Sequence, residues 1–239
     1  MKAVILAAGI GKRLKPITES IPKVMVEINS KPLLEYLIAV LKASGLTDLV
    51  LVVGYKKEMI ENYFKNGEKF GVKIEYVDQK EQLGTGHAVL VTKDKTAKEF
   101  AVFYGDSIWT PSHIKEIIKE FKEKGYDAAM SVKEARKEEL GRFGNVVVEN
   151  SLVTNFIEKP SPDKAIGNLY FTGLLVFKHE IYDYLRRIEK SPRGEYELPD
   201  AIKLMIKDGK RVGAVTADKV LDLTKQEDIV KLSKEISHI

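Results

Sequence analysis

The stretch "LAAGIGKRL" runs from apolar residues into two glycines and then two cations, Lys12 and Arg13. An apolar run ending in Gly-x-Gly predicts a buried strand that turns sharply at the lip of a parallel sheet, where phosphates are commonly held. An arginine fork can grip two phosphate oxygens at once, and a second cation follows in "IPK" at Lys23. Together these groups could surround a triphosphate; on this segment alone a plain strand turn with solvated cations stays equally open. The turn is neither of two common phosphate loops. Leu14 replaces the third glycine of a dinucleotide fingerprint, and no acid ends the second strand, "LVLVVGY". A P-loop is excluded because Leu6 stands five before Gly11 and Arg13 follows Lys12. A second chemistry is written in "AVFYGDSIW", an apolar strand that ends in Gly105 and one carboxylate, Asp106. At the carboxyl end of a parallel strand an acid points into the ligand crevice, though it could also cap a following helix.

The elements that must position these groups alternate. Strand-like runs at Lys2–Leu6, Leu49–Val53, Val72–Val77 and Phe100–Tyr104 are interleaved with helix-like runs at Pro32–Ser44, Lys57–Lys65, near Gly86 and Ser112–Lys124. That order predicts an α/β fold with a mostly parallel, doubly wound sheet. The helix at Pro32 shows the logic: Pro32 suits its first turn, Leu33, Leu34, Leu37, Ile38 and Leu41 make one apolar face, and Gly45 stops it. After about residue 127 short β-rich runs separated by Gly, Asn and Pro predict a β-rich lobe that completes the same domain. Helices return at His179–Ile188 and Pro199–Ile206, then a strand at Val212–Ala217 and a last helix from Gln226. Trp109 and Met130 read as core or wall residues, and His87 as structural.

Composition narrows the function classes. The 239 residues suit one generous α/β domain, expected here over residues 1–239. No apolar stretch approaches a membrane span, and the run Ala3–Ala8 lacks the flanks of a signal peptide, so a cytoplasmic location is expected. The absence of cysteine excludes disulfides, thiolate metal sites and cysteine nucleophiles. A net charge of +4 is spread over alternating Lys and Glu, as in "HIKEIIKEFKEKG", which is a solvated helix face and not a nucleic-acid patch. The richness in Lys, Glu and Ile points to a thermophilic source.

The long segment "KAVILAAGIGKRLKPITESIPKVMVEINSKPLLEYLI" resembles the signature of the sugar-1-phosphate nucleotidylyltransferases, G-x-G-x-R-L-x-P-x-T followed by P-K-x-[LM]. Later motifs keep that family's order: "DQKEQLGTGHAV", "YGDS", "GRFGNVVVEN", "FIEKP", "YFTGLLVF" and "LDLTKQED". The resemblance covers essentially the whole chain and ends where many relatives add an acyltransferase or hexapeptide-repeat domain. It implies a Rossmann-like nucleotide-diphospho-sugar transferase fold with a β-rich acceptor lobe. It also implies a nucleoside triphosphate and a sugar-1-phosphate as substrates, Mg²⁺ as cofactor, and no nucleic-acid or membrane partner; a homo-oligomer stays open. In that family a sugar-1-phosphate oxygen attacks the α-phosphorus of the triphosphate and pyrophosphate leaves, so alignment and charge neutralisation carry the catalysis.

By the same resemblance Arg13 contacts the β and γ phosphates, Lys23 the phosphate chain, and Asp106 and Asp222 hold Mg²⁺. The nucleotide is expected against Leu6, Ala8, Gly9, Gly11, Arg13, Lys23, Gln79, Gln82, Gly84 and Thr85, with the Gln79 amide donating to one ring position of a pyrimidine and accepting from another. The sugar phosphate is expected against Tyr104, Gly144, Glu158, Lys159, Thr172 and Gly173, with Lys159 on the acceptor phosphate and Arg13, Lys23, Asp106 and Lys159 as the catalytic set. The frame of Asp222 departs from the family pattern, with Val220 for tryptophan and Leu223-Thr224 for Gly-Thr, so helix capping competes there. Glu197 and Asp200 in "RGEYELPDAI" match an acidic element or serve only to start a helix. UTP or dTTP with glucose-1-phosphate is the expected pair. N-acetylglucosamine-1-phosphate uridylyl transfer fits the spelling "QLGTGHA", but Phe171 stands where those enzymes place an asparagine; mannose-1-phosphate guanylyl transfer is the runner-up. A non-catalytic homologue would have lost Arg13, Lys23 or Asp106, and a glycosyltransferase would want a D-x-D pair where "YGDS" has one acid.

Overall fold

The computed structural model describes residues 1–135, 143–158, 160, 164–165 and 167–236. In chain order the strands are β1 (Lys2–Leu6), β2 (Glu27–Ile28), β3 (Lys31–Pro32), β4 (Asp48–Val53), β5 (Lys73–Asp78), β6 (Glu99–Tyr104), β7 (Ser107–Trp109), β8 (Ala128–Glu134), β9 (Asn145–Glu149), β10 (Leu152–Ile157), β11 (Leu169–Lys178), β12 (Val212–Thr216) and β13 (Val220–Asp222). The helices are α1 (Ile17–Ser20), α2 (Leu33–Ala43), α3 (Lys57–Phe64), α4 (Thr85–Leu90), α5 (Pro111–Glu123), α6 (Ile181–Leu185), α7 (Leu198–Lys207) and α8 (Glu227–Glu235). Among the described residues no helix is long and apolar enough to cross a membrane.

Nine strands form one sheet in the order β5-β4-β1-β6-β11-β8-β12-β10-β9. The first four in that order run parallel. β11 opposes both β6 and β8, β12 follows β8, and the β9–β10 hairpin opposes itself. Seven strands therefore share one direction and only β10 and β11 run against it. The hairpin turn uses Asn150 and Ser151, both at positive φ (50° and 63°), the twist that suits a two-residue connection.

Alternation along the strands explains the two helical layers. Ala3 and Ile5 of β1 face a core built with α2 and α5, whereas Val4 faces a second core built with α4, α6 and α7. The expected face of α2 is fully buried: Leu33, Leu34, Leu37, Ile38 and Leu41 are at most 1% exposed. Each such side chain contributes about 1.5–3 kcal/mol relative to exposure. Gly45, at φ 85°, lets the chain leave the helix while the Leu46 N–H returns to the Leu41 carbonyl (2.9 Å). Trp109 and Met130 lie fully inside the two cores.

Two short strands had no signal in the pattern. β7 follows Asp106 directly and pairs antiparallel with β13, which sets Asp222 opposite Ser107. The Leu223 N–H adds a bond to the Asp106 carbonyl (2.9 Å). A distant segment near the carboxyl end is thereby stitched to the end of β6.

Candidate active site

The glycine turn is shaped by what lies against it. Gly11 sits at φ 71°, and a Cβ there would come 2.8 Å from the Lys23 Cβ. Its carbonyl accepts from the Leu14 N–H and the Thr18 hydroxyl, each at 2.9 Å. The turn thus packs on the segment that carries Lys23, and exposed Lys12 and Arg13 stand on the same rim.

At the end of β6 the chain passes so close to β1 that a Cβ on Gly105 would be 2.8 Å from the Leu6 carbonyl oxygen. This approach sets Asp106 beside the turn, where Lys23 Nζ donates to its Oδ2. The pair is partly sheltered, with side-chain exposures of 17% and 29%. Burial pushes the neighbouring Asp222 carboxyl up to about 6, and Asp106 adds to the rise, while the Ser107 hydroxyl and Lys23 oppose it. Neither acid caps a helix. Asp106 leads into β7, and α5 is capped by Thr110, whose hydroxyl accepts from the His113 N–H. Ahead of α8 it is Asp228 that takes the Thr224 and Lys225 N–H groups, both at 2.8 Å.

Among the described residues no group of three or more His, Cys, Asp or Glu is arranged for a metal. Two adjacent carboxylates suit a hard cation that takes its remaining ligands from phosphate oxygens and water. Asp106 and Asp222 fit that donor set.

The segment after β5 is strapped from above. Gly84 lies at φ 104°, with a Cβ there 2.9 Å from the Glu195 Cβ, and the Gly86 N–H donates to the Tyr196 carbonyl (2.8 Å). The Thr85 hydroxyl accepts from the Leu198 N–H (3.1 Å). Beneath the strap Gln79 is 4% exposed. Its Nε2 donates to the Gly84 carbonyl (3.0 Å) and meets His87 Nδ1 (3.2 Å). This corrects the expectation that the amide both donates to and accepts from a base: both hydrogens are already spent on the protein, because the loop doubles back over the side chain.

On the other side β11 breaks its pairing with β8 between Phe171 and Leu175. Gly173, at φ 93°, brings this bulge against Tyr104; a Cβ there would be 2.9 Å from the Tyr104 Cβ. Burial raises the Tyr104 phenol above its usual range, which keeps it protonated. A buried chain of polar groups holds the bulge from below. Trp109 Nε1 donates to the Thr172 hydroxyl (3.0 Å), which is 2.7 Å from the Ser131 hydroxyl, itself 2.7 Å from His113 Nε2. Burial pulls the His113 imidazole down to about 4, so it is neutral here. Thr172→Val leaves the indole N–H and the Ser131 hydroxyl short of a partner. We expect it to cost about 1–3 kcal/mol in urea unfolding.

Two chambers of about 430 and 380 Å³ result. The first is lined by Arg13, Tyr104, Gly144, Glu158, Thr172, Gly173 and Asp222, the second by Leu6, Ala8, Gly9, Gln79, Gln82 and Gly84. They share Gly11, Lys23, Thr85, Tyr104 and Asp106. Every residue assigned from the sequence to the nucleotide, the sugar phosphate or the metal lines one chamber or the other except Lys159, which lies outside the described residues. Gly144 cannot carry a side chain without meeting the Phe156 ring and Glu158 Oε2, the latter at 2.8 Å.

Sequence reasoning passed over Lys12 and Glu195, which both line the two chambers, and Arg193, whose guanidinium grips Glu197 and reaches Glu158 (3.5 Å). For Arg193 and Glu195 the signal was the stretch "PRGEYEL", in which a charged loop is indistinguishable from a solvated turn, and for Lys12 it was its place beside Arg13. Glu197 is buried and anchors that loop by accepting from Arg193 and Ser191, whereas Asp200 pairs with Lys203 away from the chambers.

In an open α/β sheet the crevice at the carboxyl ends of the parallel strands is where ligands bind, and here it carries Lys23 and Asp106 with Asp222 beside them. A family model described as nucleotidyl transferase matches residues 2–238, and the chain belongs to that family. It is 40% identical over 220 residues to the UTP–glucose-1-phosphate uridylyltransferase AglF of Haloferax volcanii, covering 91% of this chain and 88% of that protein. It is 39% identical over 215 residues to the bifunctional protein GlmU of Methanococcus maripaludis, covering 89% of this chain but only 49% of GlmU. Among solved structures, a UDP-glucose pyrophosphorylase complexed with UDP-glucose superposes with a TM-score of 0.88 at 25% identity, covering 99% of this chain and 98% of that one. A UTP-bound UGPase from Acinetobacter baumannii gives a TM-score of 0.84 at 26% identity, over 99% and 92%.

Proposed function

We propose that this chain transfers a nucleotidyl group from UTP or dTTP to glucose-1-phosphate, releasing pyrophosphate, with residues 1–239 acting as one domain. The observation that carries the reading is the overlap of the two chambers at Lys23 and Asp106, which line both. The names of the AglF relative and of the UDP-glucose pyrophosphorylase structures support the substrate pair.

In this mechanism the smaller chamber takes the base and the larger takes the sugar. Lys12 and Arg13 hold the β and γ phosphates on the rim, and Lys23 neutralises charge at the α-phosphate. An oxygen of the sugar phosphate forms a new bond to the α-phosphorus as the bond from that phosphorus to the β-bridging oxygen breaks. The attacking oxygen is already anionic, so no side chain need remove a proton. Asp106 and Asp222 are the residues that would hold Mg²⁺, which when bound supplies positive charge to the reacting phosphates. Glu158 accepts sugar hydroxyls, and Lys159 is assigned to the acceptor phosphate.

A second reading, transfer to an N-acetylated sugar, is favoured by the GlmU relatives. Phe171 weighs against it: it lines the larger chamber and offers an acetamido group no hydrogen bond. Pyrophosphate release with equal concentrations of UTP, dTTP, CTP, ATP and GTP tests the donor. UTP or dTTP should dominate with glucose-1-phosphate; a clear preference for GTP would overturn the pyrimidine assignment.

A further inference from the structure

Among the described residues the His87 ring has one hydrogen-bond partner, the Gln79 amide. The Gly84 carbonyl can only accept, so the amide atom 3.0 Å from it must be nitrogen. That nitrogen can only donate, so the His87 Nδ1 at 3.2 Å must carry a lone pair and the ring proton must sit on Nε2. Both amide hydrogens are thus committed inside the protein. Among the described residues no donor meets the Gln79 Oε1, and that oxygen stays accessible on the smaller chamber that Gln79 lines. A flipped amide would set oxygen against the Gly84 carbonyl and lose the imidazole contact as well.

We infer that His87 is a positioning residue for base selection: with the Gly84 carbonyl it locks the Gln79 amide so that only an acceptor faces the nucleobase. This deepens the proposed function and rests on its placing of the base in that chamber. An acceptor with fixed polarity admits a ring N–H, as at N3 of uracil or thymine, and repels the lone pair that cytosine carries at N3. The Gly84 carbonyl supplies half of the lock and His87 the other half.

The test compares kcat/KM for UTP and CTP in the wild type, His87→Leu and His87→Asn, each with glucose-1-phosphate. Leucine keeps the bulk and removes the acceptor; asparagine can offer Oδ1 near the place of the imidazole Nδ1. His87→Leu should lower the UTP/CTP ratio about tenfold, the worth of one hydrogen bond, and His87→Asn should recover most of it. An equal fall with both nucleotides, or no recovery with asparagine, would overturn the inference, since loss of packing alone moves both substrates together. Nitrogen-15 NMR of the imidazole in the nucleotide-free protein gives an independent answer. A proton on Nε2 supports the lock, and one on Nδ1 overturns it whatever base is used. A wild type that takes CTP as readily as UTP would instead sink the proposed preference for UTP or dTTP, while the NMR would still decide the polarity of Gln79.

Discussion

Asp106→Asn is expected to lower kcat by about a thousandfold or more while the protein stays folded. Asparagine preserves the volume and one acceptor oxygen, so the strap from Leu223 to the Asp106 carbonyl and the β7–β13 ladder are untouched. What disappears is the negative charge that pairs with Lys23 and that, with Asp222, would hold a divalent cation on the reacting phosphates. Charge stabilisation of that kind is worth several kcal/mol, and each 1.4 kcal/mol is tenfold in rate. Steady-state pyrophosphate release with Mg²⁺, alongside thermal unfolding followed by circular dichroism, separates the two effects. A variant with wild-type kcat would show that Asp106 does not act on the phosphates. A variant that fails to fold would point to a structural acid, and Asp106→Glu would then be compared for partial recovery of both.

Lys23→Met should cost about a hundred- to a thousandfold in kcat/KM, the range for removing one preorganised donor from a developing anion. The side chain is held at the meeting of the two chambers by Asp106 on one side and by the packing of the glycine turn on its Cβ at the other. Without it Asp106 loses its ion-pair partner and the site loses a positive charge that would face the incoming triphosphate. Both kcat and the KM for UTP should therefore worsen, whereas a purely structural lysine would change stability alone. Lys23→Arg should recover only part of the loss, because a planar fork cannot occupy the place of the compact ammonium that donates to Asp106. Kinetics within tenfold of wild type would remove Lys23 from the reaction.

The framework was legible because its elements are long and periodic. The run read as a helix over Pro32–Ser44 is helical over Leu33–Ala43, and Lys57–Lys65 is helical over Lys57–Phe64. The strands β1, β4 and β6 lie where unbroken apolar runs put them, since strands covered on both faces have no polar side to show, whereas the edge strand β5 mixes Lys73 and Glu75 into its run. The three-residue strands β7 and β13 escaped because so short a run has no measurable period, and their pairing joins segments far apart in the chain. The same ladder sets Asp222 opposite Ser107 and beside Asp106, a placement that local sequence could not show.

Residue identities in the cleft followed from the order of motifs, but their internal commitments did not. Nothing in "DQKEQLGTGHAV" says that the Gln79 amide hydrogens are consumed by Gly84 and His87, because that depends on how the loop folds back under residues 195–198. Likewise "YFTG" names Thr172 without revealing that its hydroxyl turns inward to Trp109 and Ser131.

The central claim is that the two chambers join a sugar phosphate to the α-phosphorus of a nucleoside triphosphate. Separate incubations with UTP labelled at the α or the γ phosphorus, each with glucose-1-phosphate and Mg²⁺, test it most directly. The α label should move into a nucleotide sugar and the γ label into pyrophosphate, both only when glucose-1-phosphate is present. Transfer of the γ label to the sugar phosphate, or its release as inorganic phosphate without any sugar, would contradict the claim.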